Sequence, residues 1–154
     1  MEKTGYWELS HNGSNLVYHI VCPAKYRRVV FDKNVDEHLR QICLAIELRY
    51  EYIKFLEIGT DKDHVHFLVQ STPNYAPAQI VKIIKSITAR QIFVECPEVK
   101  KKLWGGQFWT DGYFVASVGK NQSESVVKEY VKNQGGKQDT EYRQLYLAVD
   151  CIAD

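Results

Sequence analysis

The chain has 154 residues, of which 45% are hydrophobic and 25% charged, a composition typical of a globular domain with a sizeable core. Its formal net charge of +1 neither favours nor excludes a polyanionic partner, so a nucleic-acid surface would have to come from local clusters of cations. The sequence excludes a membrane helix, because no apolar run approaches the roughly 18 residues required, and it does not open with a secretory signal. The four cysteines are far apart, so we expect a cytoplasmic protein with reduced, mostly buried thiols.

The first third of the chain predicts a strand followed by a helix. Residues 15–22 alternate enough to form a strand, which Pro23 ends, and residues 26–31 have the composition of a short second strand. Asn34, with Glu37 three residues later, indicates the start of a helix. The helix then carries a stripe of apolar residues at helical spacing, consisting of Leu39, Ile42, Cys43, Ile46 and Tyr50.

The middle of the chain predicts a hairpin and a second helix. Residues 52–58 and 64–71 have the pattern of two strands, joined by a polar turn at 59–63. Pro77 is well placed in the first turn of the helix that follows, and Pro97 stops that helix. The buried stripe of this helix consists of Ile80, Ile83, Ile84 and Ile87.

The last third predicts one more strand and one more helix. Residues 107–119 carry aromatic and β-branched side chains around a hairpin-type turn, which favours a strand. Asn121 or Ser123 caps a final helix that runs through Gln134 and ends at two glycines. The residues after the glycines have no pattern that assigns a structure.

The order of these elements, strand-helix-strand-strand-helix-strand, is the split βαβ pattern of a ferredoxin-like sandwich. We therefore predict the α+β class, with an antiparallel sheet, helices on one face and an extra C-terminal helix. Since there is neither an internal repeat nor a long linker, residues 1–154 should form a single domain. Its core spans about 14–134, and residues 135–154 form a tail of unassigned structure.

A pair of histidines, His64 and His66, is the strongest functional signal. The two residues lie two positions apart in a predicted strand, so their imidazoles project from the same face and could grip one metal ion. With five histidines in the chain, this spacing is also a plausible coincidence. The interpretation therefore depends on whether the chain supplies the other parts of a site.

The predicted final helix supplies two such parts, Tyr130 and Gln134. They are four residues apart and share one face of the helix, which Val126, Val127 and Val131 flank. One interpretation makes Tyr130 an ordinary packing residue and Gln134 a polar residue at the helix end. The other makes Tyr130 a nucleophile and Gln134 a third, oxygen-donating metal ligand beside the histidines.

Three motifs in the same order resemble one known family. They are EIGTDKDHVHFLV at 57–69, WTDGYFVASVG at 109–119 and VKEYVKNQ at 127–134. In this combination the chain resembles the single-tyrosine HUH transposases of small bacterial insertion sequences. The resemblance extends from about Ser14 to Gln134 and does not cover the N-terminal extension or the tail.

This resemblance implies an activity, a cofactor and partners. Members of the family are small ferredoxin-like proteins that move single-stranded DNA and recognise hairpins near the ends of the element. By position, His64, His66 and Gln134 correspond to the ligands of a divalent cation, and Tyr130 to the nucleophile. The resemblance also implies a homodimer, in which the helix that carries the tyrosine can complete the partner's site in trans.

The chemistry of these residue types agrees with that activity. A tyrosine hydroxyl, with a pKa near 10, attacks a phosphodiester poorly at neutral pH unless the phosphate is activated. A divalent ion could neutralise and orient the phosphate, so that attack gives a 5′-phosphotyrosine and a free 3′-hydroxyl. We expect Mg²⁺ or Mn²⁺ in this role. Asp61 and Asp63 could be alternative ligands, although we favour the interpretation that they form a polar turn.

Predicted contacts with DNA rest on clusters of cations and on aromatic residues. The cations are Arg27 and Arg28 after the first strand, Lys82, Lys85 and Arg90 on the second helix, and Lys120 before the last helix. Each could also be an ordinary solvated residue. Trp104, Trp109 and Tyr113 could stack on unpaired bases, although we expect at least two of them in the core.

Three functions remain in competition on the sequence alone. The first is a transposase that cuts and rejoins single-stranded DNA. The second is another HUH endonuclease, such as a replication initiator, a relaxase or a domesticated nuclease acting on repeated hairpins. The third is a non-enzymatic ferredoxin-like module that binds nucleic acid.

Overall fold

The computed structural model describes the backbone of residues 7–8 and all of residues 13–103, 105–119 and 131–132. Two short strands, β1 and β2, precede the main elements, and residues 131–132 are helical. In chain order the elements are β1 (Trp7–Glu8), β2 (Gly13–Ser14), β3 (Leu16–Pro23), α1 (Lys33–Arg49), β4 (Lys54–Thr60), β5 (His64–Ser71), α2 (Pro77–Glu95), α3 (Pro97–Lys102) and β6 (Phe114–Ser117).

The main sheet has four antiparallel strands in the order β4-β5-β3-β6. The first strand of the β3-α1-β4-β5-α2-β6 series therefore lies at the centre beside the third, as in a ferredoxin-like sandwich. The predicted α+β class and split βαβ topology are confirmed. β1 and β2 pair with each other in a separate antiparallel ribbon.

The hydrophobic core lies between one face of the sheet and helices α1 and α2. The sheet contributes Ile20, Phe67 and Val69, all of them without solvent exposure. From α1 the core takes Leu39, Ile42, Cys43 and Ile46, and from α2 it takes Ile80, Val81, Ile84 and Ile92. Each such side chain stabilises the fold by roughly 1.5–3 kcal/mol. The predicted stripe of α1 is thus confirmed at these four positions, whereas Tyr50 follows the helix as its C-cap and is only partly buried. Ile83 and Ile87 of α2 are also only partly buried.

The opposite face of the sheet is also buried, by a different set of residues. Val17 of β3 and Leu68 of β5 form a small apolar cluster with Val131, whose side chain has no solvent exposure. Side chains alternate along a strand, so this face is the one that also carries His64 and His66. The helical turn at 131–132 therefore packs on the histidine side of the sheet.

Two predictions for the N-terminal half were wrong in detail. Residues 26–31 do not form a strand, because Lys25–Arg27 is a single 3-10 turn in which Tyr26 and Arg27 have φ values of 58° and 52°. Helix α1 begins at Lys33 rather than at Asn34. Its N-cap is Asp32, whose side chain accepts a hydrogen bond from the backbone N–H of Val35 at 2.8 Å.

The predictions for the C-terminal half need similar corrections. Pro97 does not only stop α2 but also opens a further helix, α3. The predicted strand at 107–119 is reduced to β6, and the segment before it is a loop in which Lys85 Nζ donates hydrogen bonds to the carbonyls of Thr110 and Asp111. Of the final helix only 131–132 lie among the described residues, and the tail lies outside them.

Three of the four cysteines agree with the prediction of reduced, buried thiols. Cys22, Cys43 and Cys96 are buried free thiols, and Cys151 lies outside the described residues. Burial raises the pKa of Cys22 to about 12 although the charge of Lys85 lowers it, so this thiol stays protonated at neutral pH. Within the described ranges no helix is both long and apolar enough to cross a membrane.

Candidate catalytic face

The two predicted histidine ligands lie together at the start of β5. His64 and His66 occupy alternate positions on the strand, and their ring centroids are 5.1 Å apart with an interplanar angle of 62°. Both side chains are almost fully buried, at 1% and 2% exposure. The predicted pair is therefore brought together on one rigid strand.

A third histidine, His19, contacts this pair from the neighbouring strand. Its Nε2 atom lies 2.8 Å from Nδ1 of His66, and the two rings stack with centroids 5.0 Å apart. The contact depends on the β3–β5 register, in which Val21 pairs with His66 and His19 with Leu68. Sequence reasoning missed His19. Its place between Val17 and Val21 indicates the shared face, but the register across strands cannot be read from one sequence.

Asp63 contacts the pair through the ring of His64. Oδ1 of Asp63 lies 2.8 Å from Nδ1 of His64, and its Oδ2 accepts a hydrogen bond from Nε of Arg27 at 3.1 Å. Burial raises the pKa of the Asp63 carboxyl, but the hydrogen bond from His64 and the charge and hydrogen bond of Arg27 outweigh it and lower the pKa overall. Asp63 is therefore an ionised partner of His64 as well as a residue of the turn.

The imidazoles of His19 and His66 are neutral at pH 7. Burial lowers the pKa of His19 to about 4. Burial, reinforced by the neighbouring His19 and His64, also lowers the pKa of His66 well below its usual value. A neutral imidazole is the form that binds a metal ion.

The spacing of the two rings is compatible with the predicted divalent cation. The Nδ1 atom of each ring is held by a protein side chain, so Nε2 is the nitrogen with which His64 or His66 could bind a cation. A metal about 2.0–2.1 Å from an imidazole nitrogen lies roughly 3.2 Å from the ring centre, and two rings sharing it are then roughly 4.5–5.1 Å apart. The observed 5.1 Å lies within that range.

The remaining parts of the predicted site lie outside the described residues. These parts are Tyr130, the predicted nucleophile, and Gln134, the predicted third ligand. Among residues 13–103, 105–119 and 131–132, no group of three or more His, Cys, Asp or Glu side chains is arranged to hold a metal ion. Within those ranges, the side chains that would bind the predicted cation are thus the two imidazoles.

The predicted DNA-binding cations have different surroundings. Arg28, Lys82 and Arg90 are exposed, as a phosphate contact requires. Arg27 and Lys85 are partly buried and already bonded, Arg27 to Asp63 and Lys85 to the 110–111 carbonyls. Lys120 lies outside the described residues.

Of the three aromatic candidates for base stacking, Trp109 is a core residue. Its side chain is 5% exposed and its Nε1 donates a hydrogen bond to Oγ1 of Thr88 at 2.9 Å. Tyr113 is partly buried, with the ammonium of Lys85 5.8 Å from its ring centre. Trp104 lies outside the described residues.

A small cationic cleft lies beside Arg27, and sequence reasoning identified only part of it. It has a volume of about 470 Å³ and is lined by Tyr26, Arg27, Arg28, Val29 and Lys102. Tyr26 is 50% exposed, which is unusual for a large aromatic side chain. The left-handed backbone of Tyr26 and Arg27 turns one side chain outward and the next towards Asp63. The cleft thus lies next to the hydrogen-bond chain that reaches His64.

Comparison with known proteins places these features in a family. The sequence profile of a family described as IS200-like transposases matches residues 12–134. The chain is 32% identical to the ISDra2 transposase TnpA of Deinococcus radiodurans over 123 residues, which cover 80% of this chain and 86% of that protein. It is 29% identical to the transposase for insertion sequence element IS200 of Salmonella typhimurium over 130 residues, with 82% and 81% covered.

Solved structures show the same similarity. A transposase-like protein of Deinococcus radiodurans R1 superposes with a TM-score of 0.67 at 27% identity, covering 85% of this chain and 99% of that one. A REP-associated tyrosine transposase bound to a REP hairpin superposes with a TM-score of 0.56. At 11% identity, with 93% of this chain and 87% of that one covered, it supports the fold alone.

Proposed function

The chain belongs to the IS200-like transposase family of insertion sequences, and from that premise we propose that it cuts and rejoins single-stranded DNA through a tyrosine. In this proposal Tyr130 is the nucleophile, and His64, His66 and Gln134 hold a divalent cation, Mg²⁺ or Mn²⁺. The substrate is single-stranded DNA with hairpins near the ends of the element.

The observation that carries this proposal is the sheet face that the histidines share with Val131. Leu68 follows His66 by two residues on β5, so the two side chains project from one face about 6.7 Å apart. Val131 is buried in the cluster that contains Leu68. Tyr130 directly precedes Val131, with Cα atoms about 3.8 Å apart, and Gln134 follows Val131 by three residues. Both predicted partners of the histidines are therefore covalently close to a residue on the histidine face.

The chemistry is a balanced exchange of phosphodiester bonds. The Tyr130 oxygen loses its proton and forms a bond to the scissile phosphorus, and the bond from phosphorus to the 3′ oxygen breaks. That 3′ oxygen leaves with a proton as a hydroxyl, and the 5′ end remains attached to the tyrosine. When bound, a divalent cation supplies positive charge to the phosphate and orients it. A 3′-hydroxyl of another strand then displaces the phenol, so rejoining consumes no nucleotide.

Burial of the histidines adds one requirement to this scheme. His64 and His66 are 1% and 2% exposed, so their nitrogens have little contact with bulk water in this conformation. The low polarity around them strengthens charge interactions at the site. A phosphate can reach them only when the surrounding side chains rearrange, and DNA binding would provide the free energy for that step.

The proposal is tested by covalent capture of DNA. Single-stranded DNA from the flanks of the encoding gene, incubated with the protein and Mn²⁺, should give an adduct that survives a denaturing gel. Tyr130→Phe should lose the adduct and keep hairpin binding, because only the attacking oxygen is removed. His64→Ala and His66→Ala should lose metal-dependent adduct formation.

Matched substitutions control for general damage to the fold. His38→Ala and Tyr50→Phe change the same residue types on and just after α1, away from the histidine face, and should leave the adduct unchanged. An adduct formed by Tyr130→Phe would show that the nucleophile is a different residue. Hairpin binding by the wild-type protein with no adduct under any metal condition would favour the non-enzymatic alternative.

We also propose a homodimer, and a mixing experiment tests whether two subunits share a site. In a mixture of His66→Ala with Tyr130→Phe, a mixed dimer has one intact pair of histidines and one intact tyrosine on different chains. Restored adduct formation is expected if the tyrosine serves the partner's histidines, and none if each chain uses its own.

A further inference from the structure

We propose that Asp63 and His19 are positioning residues that orient His64 and His66, so that Nε2 of each imidazole faces the cation, and that Arg27 holds Asp63 in place. This inference rests on the proposed metal role of the two histidines. None of these three residues belongs to the predicted ligand set of His64, His66 and Gln134, although the sequence also left Asp63 open as an alternative ligand. Each is assigned a role by its contacts on the histidine face.

The contact between Asp63 and His64 determines which nitrogen can bind a cation. A neutral imidazole carries one N–H and one lone pair, on opposite sides of the ring. Oδ1 of Asp63 lies 2.8 Å from Nδ1 of His64, and an ionised carboxylate can only accept a hydrogen bond. In a neutral His64 the proton is therefore on Nδ1 and the lone pair on Nε2.

The contact between His19 and His66 gives the same result on the second ring. Nε2 of His19 and Nδ1 of His66 are 2.8 Å apart, so one of them donates and the other accepts. If His66 donates from Nδ1, its lone pair is on Nε2, as for His64. The reverse arrangement would place a proton on Nε2 of His66 and prevent metal binding there. Cation binding therefore requires the first arrangement, and in the proposed role His19 already accepts from Nδ1 of His66 before a cation binds.

The backbone around Arg27 is built to hold Asp63. Arg27 has a φ of 52° and follows Tyr26 at 58°, a conformation that costs non-glycine residues about 1–3 kcal/mol each. Two backbone hydrogen bonds of 2.8 Å fix the turn, from Ala24 N to Asp63 O and from Lys25 N to Phe108 O. The same turn brings Nε of Arg27 to 3.1 Å from Oδ2 of Asp63.

The same geometry argues against Asp63 as a direct ligand. A carboxylate oxygen 2.8 Å from Nδ1 lies on the side of the His64 ring away from Nε2. From the ring dimensions and a metal–nitrogen distance of about 2.0–2.1 Å, that oxygen would be roughly 6–7 Å from the cation. Asp63 therefore acts through His64.

The tautomers can be measured directly in the full-length wild-type protein. Long-range ¹H–¹⁵N correlation spectra distinguish Nδ1–H from Nε2–H imidazoles by their nitrogen shifts. We expect the Nδ1–H form for both His64 and His66 without metal. An Nε2–H form of His64 would overturn the role of Asp63, and an Nε2–H form of His66 would overturn that of His19, whether or not the protein cuts DNA.

Metal affinity provides the second test, with Mn²⁺ titrated into the protein and the free ion followed by EPR. Asp63→Ala and His19→Leu should weaken Mn²⁺ binding about 10- to 100-fold. Asp63→Asn keeps an acceptor oxygen, so it should retain most of the Mn²⁺ affinity that Asp63→Ala loses. Arg27→Gln leaves the carboxylate in place but loosens it, so a smaller loss is expected.

Asp61→Ala is the matched control, because it removes the same charge from the same turn. The Asp61 carboxylate accepts from the backbone N–H of Lys62 rather than from an imidazole. Equal Mn²⁺ affinity of Asp61→Ala and Asp63→Ala would overturn the positioning role and leave the proposed function intact. Absence of Mn²⁺ binding by the wild-type protein would instead contradict the proposed metal role, and the tautomer spectra would still decide the inference.

Discussion

Arg27 and Arg28 are adjacent in the chain, but their side chains have different surroundings. Arg27 is 20% exposed and bonded to Asp63, whereas Arg28 is exposed at the edge of the cationic cleft. The left-handed backbone at Tyr26 and Arg27 separates the two side chains. Because the cleft adjoins the Arg27–Asp63–His64 chain, a DNA strand at the histidines would pass close to Arg28.

We therefore predict that Arg28→Ala weakens binding of single-stranded DNA. Loss of one phosphate contact should reduce the slope of log K against log[salt] by about 0.7. Fluorescence anisotropy of a labelled strand at several salt concentrations measures both the affinity and the slope. Arg90→Ala is the comparison, because this exposed cation lies on α2, the layer on the other side of the sheet. Equal losses for the two variants would argue against a DNA path along the cleft.

At the scale of single elements, the first turn of α1 shows how a local contact fixes a helix boundary. Asp32 has an extended backbone, with φ −85° and ψ −179°, and its carboxylate accepts from Val35 N at 2.8 Å. Asn34 lies inside the helix, and its amide faces Glu98 of α3 at 3.3 Å. The capping contact satisfies a backbone donor that would otherwise have no partner in the helix.

We expect Asp32→Ala to lower the free energy of unfolding by about 0.5–2 kcal/mol. Asn34→Ala, the substitution at the residue that the sequence pattern favoured, should cost less, because its amide makes an exposed contact to Glu98 and a long one, of 3.8 Å, to Sγ of Cys96. Urea denaturation followed by circular dichroism measures both. A larger loss for Asn34→Ala than for Asp32→Ala would contradict the assigned cap.

These two residues also show what sequence alone can predict. The order of elements determined the topology, and the period of two placed His64 and His66 on one face, because both depend on local patterns. Whether Asp32 or Asn34 is the N-cap of α1 depends on the backbone angles at each position. Sequence alone does not give these angles, because Asp and Asn are both preferred N-cap residues. The contact of His19 with His66 depends on cross-strand register, and the inward turn of Arg27 on a left-handed backbone that non-glycine residues rarely adopt.

At the scale of the whole molecule, the sheet separates the main hydrophobic core from the face that carries the histidines. Helices α1 and α2 cover one face with a continuous apolar core. The other face carries neutral, buried imidazoles together with a smaller cluster around Val17 and Leu68. Substituting a histidine therefore leaves the main core untouched, so loss of activity without loss of folding is a reasonable expectation for such variants.

In the proposed mechanism, the phenol of Tyr130 and a cation bound by His64 and His66 lie in one site. Fluorine NMR of protein labelled with 3-fluorotyrosine tests it, with the Tyr130 resonance identified by its absence from Tyr130→Phe. Addition of stoichiometric Mn²⁺, which is paramagnetic, should broaden that resonance in the wild-type protein and leave it sharp in His64→Ala/His66→Ala. A Tyr130 resonance that stays sharp with Mn²⁺ fully bound to the histidines would show that the phenol and the cation do not share a site.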